Sequence, residues 1–458
     1  MATFDADLQR AIEVGLRRGI TGVAPDALIG SDKLESYAGE FLPFTLSENG
    51  VYKSIILVSR DFPPNHGGGI ATFSKDLAEA LATSGHIVHV VTQSPDFNRV
   101  DFENGVWVHR LQLREFELPH EARERSIPQH IWNWSATALE EAKRISTHRR
   151  IDAVEAPIWD CEGVAFLLDR RWPLITSLHT TLDFWLDSHP HKRNDYDWIN
   201  TFFSPMLSLE RELMTKADGV RANSKAIVNK IEQRYQIQIP IRAIKLVPHG
   251  MAPAVKALEK KPNSDIVILF VGRLELRKGI DIFLQALPLV FEAIPNAKVR
   301  IIGDNSLVGP DGFTFMDQFK SEHANKNWLG NVCFKGRVGQ DVLLSAYESC
   351  DIFVAPSRFE SFGLIFLEAM REGKPVIGCN AGGMPEVVSH GVNGLLVEPG
   401  DTQQLTDAIL QLGMNGDLRQ QMGEAGKRIF EEKFTAKRMA EESFALYDLA
   451  KVNFADSQ

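Results

Sequence analysis

Cysteine is scarce in this chain. Only Cys161, Cys333, Cys350 and Cys379 occur in 458 residues, without paired spacing and without the neighbouring histidines of a zinc site. Neither a disulfide framework nor a bound metal is expected, and a reduced, cytoplasmic setting is the simplest reading. Long apolar runs are missing too. No stretch approaches the roughly 20 residues that span a bilayer, and the opening MATFDADLQR carries acids where a secretion signal carries bases. Nor is there an excess of positive charge: 60 Asp and Glu against 50 Lys and Arg leave a net −10. That balance excludes a protein whose main task is neutralising nucleic-acid phosphates, so no nucleic-acid partner is expected.

What is present is a chain with 44% hydrophobic residues, long enough for two or three buried cores. Residues 1–50 read as an extension, polar and helix-prone and then rich in Gly, Ser and Pro. From Ser54 short β-branched runs (SIILVS, IVHVVT, VWVHRL, DAVEAP, PLITSLH) alternate with amphipathic segments such as FSKDLAEALATSG. A second series follows the linker-like AVKALEKKPNSD, with DIVILFVGR, KVRIIGD, NVCFKG, DIFVAPS, PVIGCN and GLLVEPG as its strands. Alternation of this kind predicts an α/β protein with two doubly wound, Rossmann-like domains facing a cleft, at 51–255 and 256–435. The remaining 436–458 reads as one helix, AKRMAEESFALYDLA, returning to the first domain.

Ligands of open α/β sheets bind beyond the carboxyl ends of the strands, and four such ends stand out. After SIILVS comes RDFPPNHGGGI, whose glycines, Gly68 and Gly69 among them, let backbone approach a ligand at a helix start. After DIVILFV, the loop GRLELRKG sets Arg273, Arg277 and Lys278 together, a combination suited to a pyrophosphate. PLITSLH ends at His179, placed to hydrogen-bond or to transfer a proton. The fourth is RFESFGLIFLEAM after DIFVAPS. There Glu360 lies in a loop, a helix starts near Phe362, and Glu368 stands two turns further on. Amides of Phe362, Gly363 and Leu364 would form an anion site between two carboxylates. Acceptor, anion cradle, acceptor is the order of groups a nucleotide sugar requires.

These segments, FPPNHGGGIATFSKDLAEALATSGHIVHVVT, FVGRLELRKGIDIFLQAL and RFESFGLIFLEAMREGKPVIGCNAGGMPEVV, resemble in order and spacing those of the retaining glycosyltransferases of family 4, with the two-domain GT-B architecture. The third carries the family's Glu-x7-Glu signature. The resemblance runs from about Ser54 to the C-terminus and gives the first 50 residues no role. It implies that Arg273 and Lys278 hold the donor diphosphate, Glu368 the ribose, and Glu360 the transferred sugar. The amides at Phe362 to Leu364 would meet phosphate or sugar, and the backbone of Arg337 and Val338 the nucleobase. Gly68 and Gly69 would face the donor from the other domain, with His179 near the reacting sugar. The implied activity is hexosyl transfer with retention, from a nucleotide-diphosphate sugar to a glycan, lipid-linked or small-molecule acceptor in polysaccharide or glycoconjugate synthesis. A nucleotide sugar is then the co-substrate, with no cofactor and no catalytic metal. Alternatives are a non-catalytic nucleotide-sugar-binding protein and another GT-B enzyme, an epimerase or a phosphorylase.

Seven of eight tryptophans precede residue 200, and Trp185 and Trp198 are candidates for stacking on an acceptor sugar. Lys143, Arg144, Arg149 and Arg150 form a basic cluster that leaves open peripheral contact with the inner face of a membrane, although Glu140 and Glu141 adjoin it. Self-association is also left open.

Overall fold

The computed structural model describes residues 52–64, 68–187, 189–254, 265–308 and 312–458. The expected extension 1–50, Gly67 and much of the linker lie outside the described residues. The chain divides into two compact units. One holds the residues up to Asn223 with Val228–Ala252 and Ala436–Gln458; the other holds Ser224–Ile227 and Pro253–Thr435.

In the first unit eight strands form one sheet. They are β1 (Ser54–Val58), β2 (Ile87–Gln93), β3 (Arg99–Glu103), β4 (Val106–Leu111), β5 (Ala153–Pro157), β6 (Leu174–Ser177), β7 (Gly219–Ala222) and β8 (Ile244–Leu246). Their order is β3-β4-β2-β1-β5-β6-β7-β8, parallel throughout except for the β3–β4 hairpin. SIILV of β1 is buried along its whole length, as expected of a central parallel strand covered on both faces. The sequence reading missed the short β7 and β8 and also the hairpin strand β3. It is tied to β4 by Asn104-Gly105, both at positive φ, the pair of residues that a tight hairpin turn favours.

The second unit has six parallel strands: β9 (Val267–Val271), β10 (Lys298–Ile302), β11 (Val332–Gly336), β12 (Ile352–Val354), β13 (Val376–Cys379) and β14 (Gly394–Val397). Their order is β11-β10-β9-β12-β13-β14. Both sheets are therefore doubly wound, the order reversing between β1 and β5 in one and between β9 and β12 in the other.

Two helices cover one face of the first sheet. Helix α1 (Gly69–Thr83) follows β1, and α10, the last helix (Ala436–Asp456), packs on α1 and β7 and shares their apolar core. The approach is close: a Cβ on Gly219 would stand 3.1 Å from that of Ala450. Beneath it a polar group is sealed in. Glu155 of β5 takes Arg221 Nη2 at 2.9 Å and the Tyr447 hydroxyl of α10 at 2.7 Å, all three being buried. Burial opposes ionisation of Glu155, but the guanidinium outweighs it and holds the carboxyl below its ordinary range. Among the described residues no helix is long and apolar enough to cross a membrane.

Removing Tyr447's hydroxyl takes one donor from this group, whereas removing the carboxylate strands a buried guanidinium. Tyr447→Phe is expected to cost about 1–2 kcal/mol and Glu155→Ala about 3–5 kcal/mol. Urea denaturation followed by tryptophan fluorescence measures both, since seven of the eight tryptophans lie in this unit.

Candidate active site

The reversal between β9 and β12 sets their carboxyl-end loops side by side. Gly279, at φ 70°, lets them touch: a Cβ there would lie 1.9 Å from the Pro356 carbonyl oxygen. Arg358 N donates to Arg277 O at 2.8 Å. This contact brings Lys278 to Glu360, Nζ to Oε1 at 2.6 Å, and Ser357 Oγ donates to the same oxygen at 2.7 Å. Arg277 stands 4.0 Å from Oε2. Burial would push Glu360 up, yet Lys278 and Arg277 outweigh it and hold the carboxyl down; burial draws the Lys278 ammonium down against the pull of Glu360. Arg273, at the start of the β9 loop, keeps 43% of its side chain exposed while resting on Glu275 at 3.0 Å.

The helix after β12 begins later than expected. It is α7 (Leu364–Arg371), capped by Gly363 at φ 98°, where a Cβ would meet the Phe366 ring at 2.7 Å. Phe362 precedes it, its ring buried against Phe434 with centroids 5.8 Å apart. Phe366 N already donates to Gly363 O. The amides without an intrahelical acceptor are thus those of Leu364 and Ile365, two residues beyond the expected start. Glu368, half-buried on α7, accepts the Tyr347 hydroxyl at 2.6 Å from α6 (Gln340–Ser349). It therefore does not cap an exposed face. Burial raises its pKa against that hydrogen bond.

Arg337 and Val338 follow β11, whose end is tied to the β10 loop by Gly303 N to Gly336 O at 2.9 Å. The exposed Arg337 donates to Asp304 at 2.6 Å, and Asp304 also accepts Ser306 N. Those Ser306 bonds and then Arg337 hold its carboxyl at about 2. Within the second unit, then, Arg273, Lys278, Glu360, Phe362 to Leu364, Arg337 and Val338 lie in the loops at the carboxyl edge of one sheet, and Glu368 on the helix that leaves it. Gly382 and Gly383 were quoted in the sequence but given no role. A Cβ on them would come within 2.3 Å of Glu360 O and 2.4 Å of Ser361 O, and Gly383 N donates to Glu360 O. They support the Glu360 segment from behind, and the run Ala-Gly-Gly was their only signal.

In the first unit, Gly68 caps α1 and Gly69 opens it. Among the described residues a Cβ on either would meet no atom within 4 Å, so packing does not call for glycine at these positions, although the φ of 156° at Gly68 does favour it there. His179 is buried beyond β6, edge-on to Phe73 and stacked on His249 at 5.7 Å, its Nε2 without a hydrogen-bond partner among the described residues. Burial pulls it down to about 4, with Glu155 resisting. Near neutral pH it is an uncharged hydrogen-bonding group with little power to transfer a proton, which narrows the expectation drawn from the sequence.

The segment Asp195-Tyr196-Asp197 has Asp-x-Asp spacing, but Asp195 caps Trp198 N and pairs with Lys192 at 2.9 Å. The basic cluster is largely neutralised: Lys143 pairs with Glu140 and Asp169, Arg144 with Glu141 and Arg150 with Asp152, while Arg149 lies over the Trp107 ring.

Glu162, also at the end of β5, accepts Trp134 Nε1 and Arg60 N on one oxygen, each at 2.8 Å. The other oxygen can keep a proton, and burial raises the carboxyl from 4.5 to about 7.

Three variants test these electrostatics. Glu162 folds protonated and unfolds to an acid that ionises near 4.5, so stability present below that pH is lost as pH rises through about 7. Tryptophan-monitored unfolding should show a fall of up to about 3 kcal/mol between pH 5 and 8, absent in Glu162→Gln. Lys278→Met alone should destabilise the second unit by about 3–5 kcal/mol, and Lys278→Met with Glu360→Leu should recover most of it. Hydrogen exchange in β9 and β12 peptides reads that difference.

Comparison with known proteins covers both units. The model for glycosyltransferase family 4 matches residues 67–254, and that for glycosyl transferases group 1 matches residues 253–429. An uncharacterized glycosyltransferase of Methanocaldococcus jannaschii is 28% identical over 86% of this chain and 98% of its own. The N-acetyl-alpha-D-glucosaminyl L-malate synthase of Bacillus anthracis is 25% identical over 83% and 93%. Among solved structures, Anabaena HepE in complex with UDP-glucose superposes with a TM-score of 0.59 at 20% identity, covering 86% of this chain and all of that one. Likeness at that level shows the common fold.

Proposed function

Because the chain belongs to the group 1 glycosyltransferases of family 4, with the GT-B fold, we propose that it moves a hexosyl unit from a nucleotide-diphosphate sugar to an acceptor hydroxyl with retention of configuration. The observation that carries this reading is the Lys278–Glu360 pair at the strand reversal, with Arg273 beside it and the free amides of α7 in the next loop.

The leaving group is a nucleoside diphosphate, so catalysis needs fixed positive charge where negative charge develops. An ammonium has three donors; Lys278 can keep one on Glu360 and turn another to a phosphoryl oxygen. Arg273 offers its exposed guanidinium, and Leu364 and Ile365 their amides. These cationic groups take the part a divalent ion plays elsewhere. Glu360, held ionised, is an acceptor for hydroxyls of the transferred sugar. Its Oε1 is bound by both Lys278 and Ser357, which makes it a poor nucleophile. A route in which a departing phosphate oxygen deprotonates the acceptor hydroxyl on the same face suits this arrangement, since it asks no carboxylate to attack. Glu368 has one oxygen on Tyr347 and offers the other to the ribose. That the Anabaena neighbour holds UDP-glucose supports a nucleotide-sugar donor; the relative named for synthesis of N-acetyl-alpha-D-glucosaminyl L-malate illustrates that an acceptor need not be a sugar.

A calorimetric screen of UDP-, GDP- and ADP-sugars should find one that stabilises the protein by about 2–3 kcal/mol at a hundredfold excess over its dissociation constant. Lys278→Ala should weaken that donor 10- to 100-fold, the worth of a charge-assisted hydrogen bond, and NMR of the product should show the donor's anomeric configuration. Transfer should survive a metal chelator. A screen in which no nucleotide sugar binds, or in which Lys278→Ala binds as well as wild type, refutes the reading.

A further inference from the structure

The first sheet also reverses its order, between β1 and β5, and the loops there carry a pair of the same type. Arg60 Nη1 donates to Asp160 Oδ2 at 2.7 Å, with each side chain about one quarter exposed. The Nε of Arg60 is buried and has no partner among the described residues. Asp160 and Cys161 both adopt positive φ, 54° and 50°, with no glycine between them. Backbone held this way costs on the order of 1–3 kcal/mol per residue and clusters where a side chain must be aimed. Packing asks only for the buried Cys161; nothing in the core needs the Asp160 carboxylate.

From this loop a strip of rings leads outward. His130 lies close enough to Asp160 to act on its charge. It stacks on Phe202 at 5.7 Å, Phe202 contacts Trp198 at 5.8 Å, and Trp198 contacts Trp185 at 6.0 Å. Both tryptophans are only partly buried. Trp185 stands on the helix Leu182–Asp187 beyond β6, and Phe202 on a π-helical turn, Ile199–Phe203, a rare form frequent at functional positions. The charge around the strip decides between partners. Residues 182–203 hold four aspartates, met by Lys192 on Asp195, by Arg193 on Asp187 and by Arg234 on both Asp183 and Asp187, so every base there is already paired. That balance leaves no free basic cluster to hold a phosphate-rich lipid surface. Aromatic faces beside a carboxylate and a guanidinium instead match the two aspects of a pyranose, its C–H face and its hydroxyls.

We propose that the loops beyond β1, β5 and β6 form an acceptor site for a carbohydrate of at least two rings. Asp160 and Arg60 hold hydroxyls of the ring that receives the sugar, and Trp198 and Trp185 stack on the next. This rests on the glycosyltransferase reading above and assigns the acceptor its chemical class.

The test uses the full chain and saturation-transfer NMR with titration. Probes are the methyl glycosides of glucose, mannose, galactose and N-acetylglucosamine, the disaccharides of each in α and β linkage, and vesicles of phosphatidylglycerol and phosphatidylcholine. At least one disaccharide should bind ten times more tightly than its monosaccharide. Trp198→Ala and Trp185→Ala should each reduce that preference below threefold, and Asp160→Asn should weaken both ligands tenfold. Nucleotide-sugar binding should be unchanged in all three variants, which also reports that they fold. Binding of no saccharide, a disaccharide preference that survives both tryptophan variants, or association with the vesicles overturns the proposal. If the donor still binds, the glycosyltransferase reading stands without it; if no nucleotide sugar binds either, that reading has failed first.

Discussion

The constraint on which the second unit depends is the reversal of strand order between β9 and β12. Parallel strands wound in opposite directions from one point leave their carboxyl-end loops uncovered and adjacent, and Lys278 reaches Glu360 only because of that adjacency. The pair joins residues 82 apart in sequence, and the local geometry serves it. Gly279 permits the loops to touch, Ser357 donates to the same carboxylate oxygen as Lys278, and Gly382 and Gly383 hold the Glu360 backbone from the far side. A buried ammonium and carboxylate, each costly alone, tolerate one another here. They keep at the sheet edge the charges that a diphosphate and a sugar hydroxyl would need.

The first unit has the same winding with a different polar economy. Its deepest ionic group, Glu155 with Arg221 and Tyr447, binds the last helix to the sheet, and the neighbouring His179 is left neutral by burial. At its own reversal the Arg60–Asp160 pair remains partly open to solvent and sits on strained backbone. One unit is thus equipped with accumulated positive charge and free helix amides. The other is equipped with acids, a neutral imidazole and partly open aromatic rings.

Much of this was legible in the sequence because strands of parallel sheets are short, β-branched and apolar, and because their ends can be counted. The loops holding Arg273, Lys278, Glu360 and His179 followed from those ends alone. Their pairing did not: nothing in the spacing of Lys278 and Glu360 says that they touch, since the contact arises from strand order. The start of α7 was displaced by two residues because Gly363 adopts a left-handed cap that an apolar run does not announce. Strand β3 was overlooked although Asn104-Gly105 signals a hairpin, and β7 and β8 were overlooked too: the polar RVDFE and the short GVRA and IKL lack the apolar run that marks the remaining strands. Asp160 gave no signal at all, for its interest lies in a backbone conformation and in neighbours brought from Arg60 and His130.

The account's central claim is that the Lys278–Glu360 pair marks the donor site, with positive charge for the diphosphate and an ionised acceptor for the sugar. A crystal structure of the full chain with a nucleotide sugar bound tests it most directly. The account predicts the diphosphate within hydrogen-bond distance of Arg273 and Lys278, and a hydroxyl of the transferred sugar on Glu360. A diphosphate bound elsewhere, leaving Lys278 and Glu360 in contact only with one another, would contradict it.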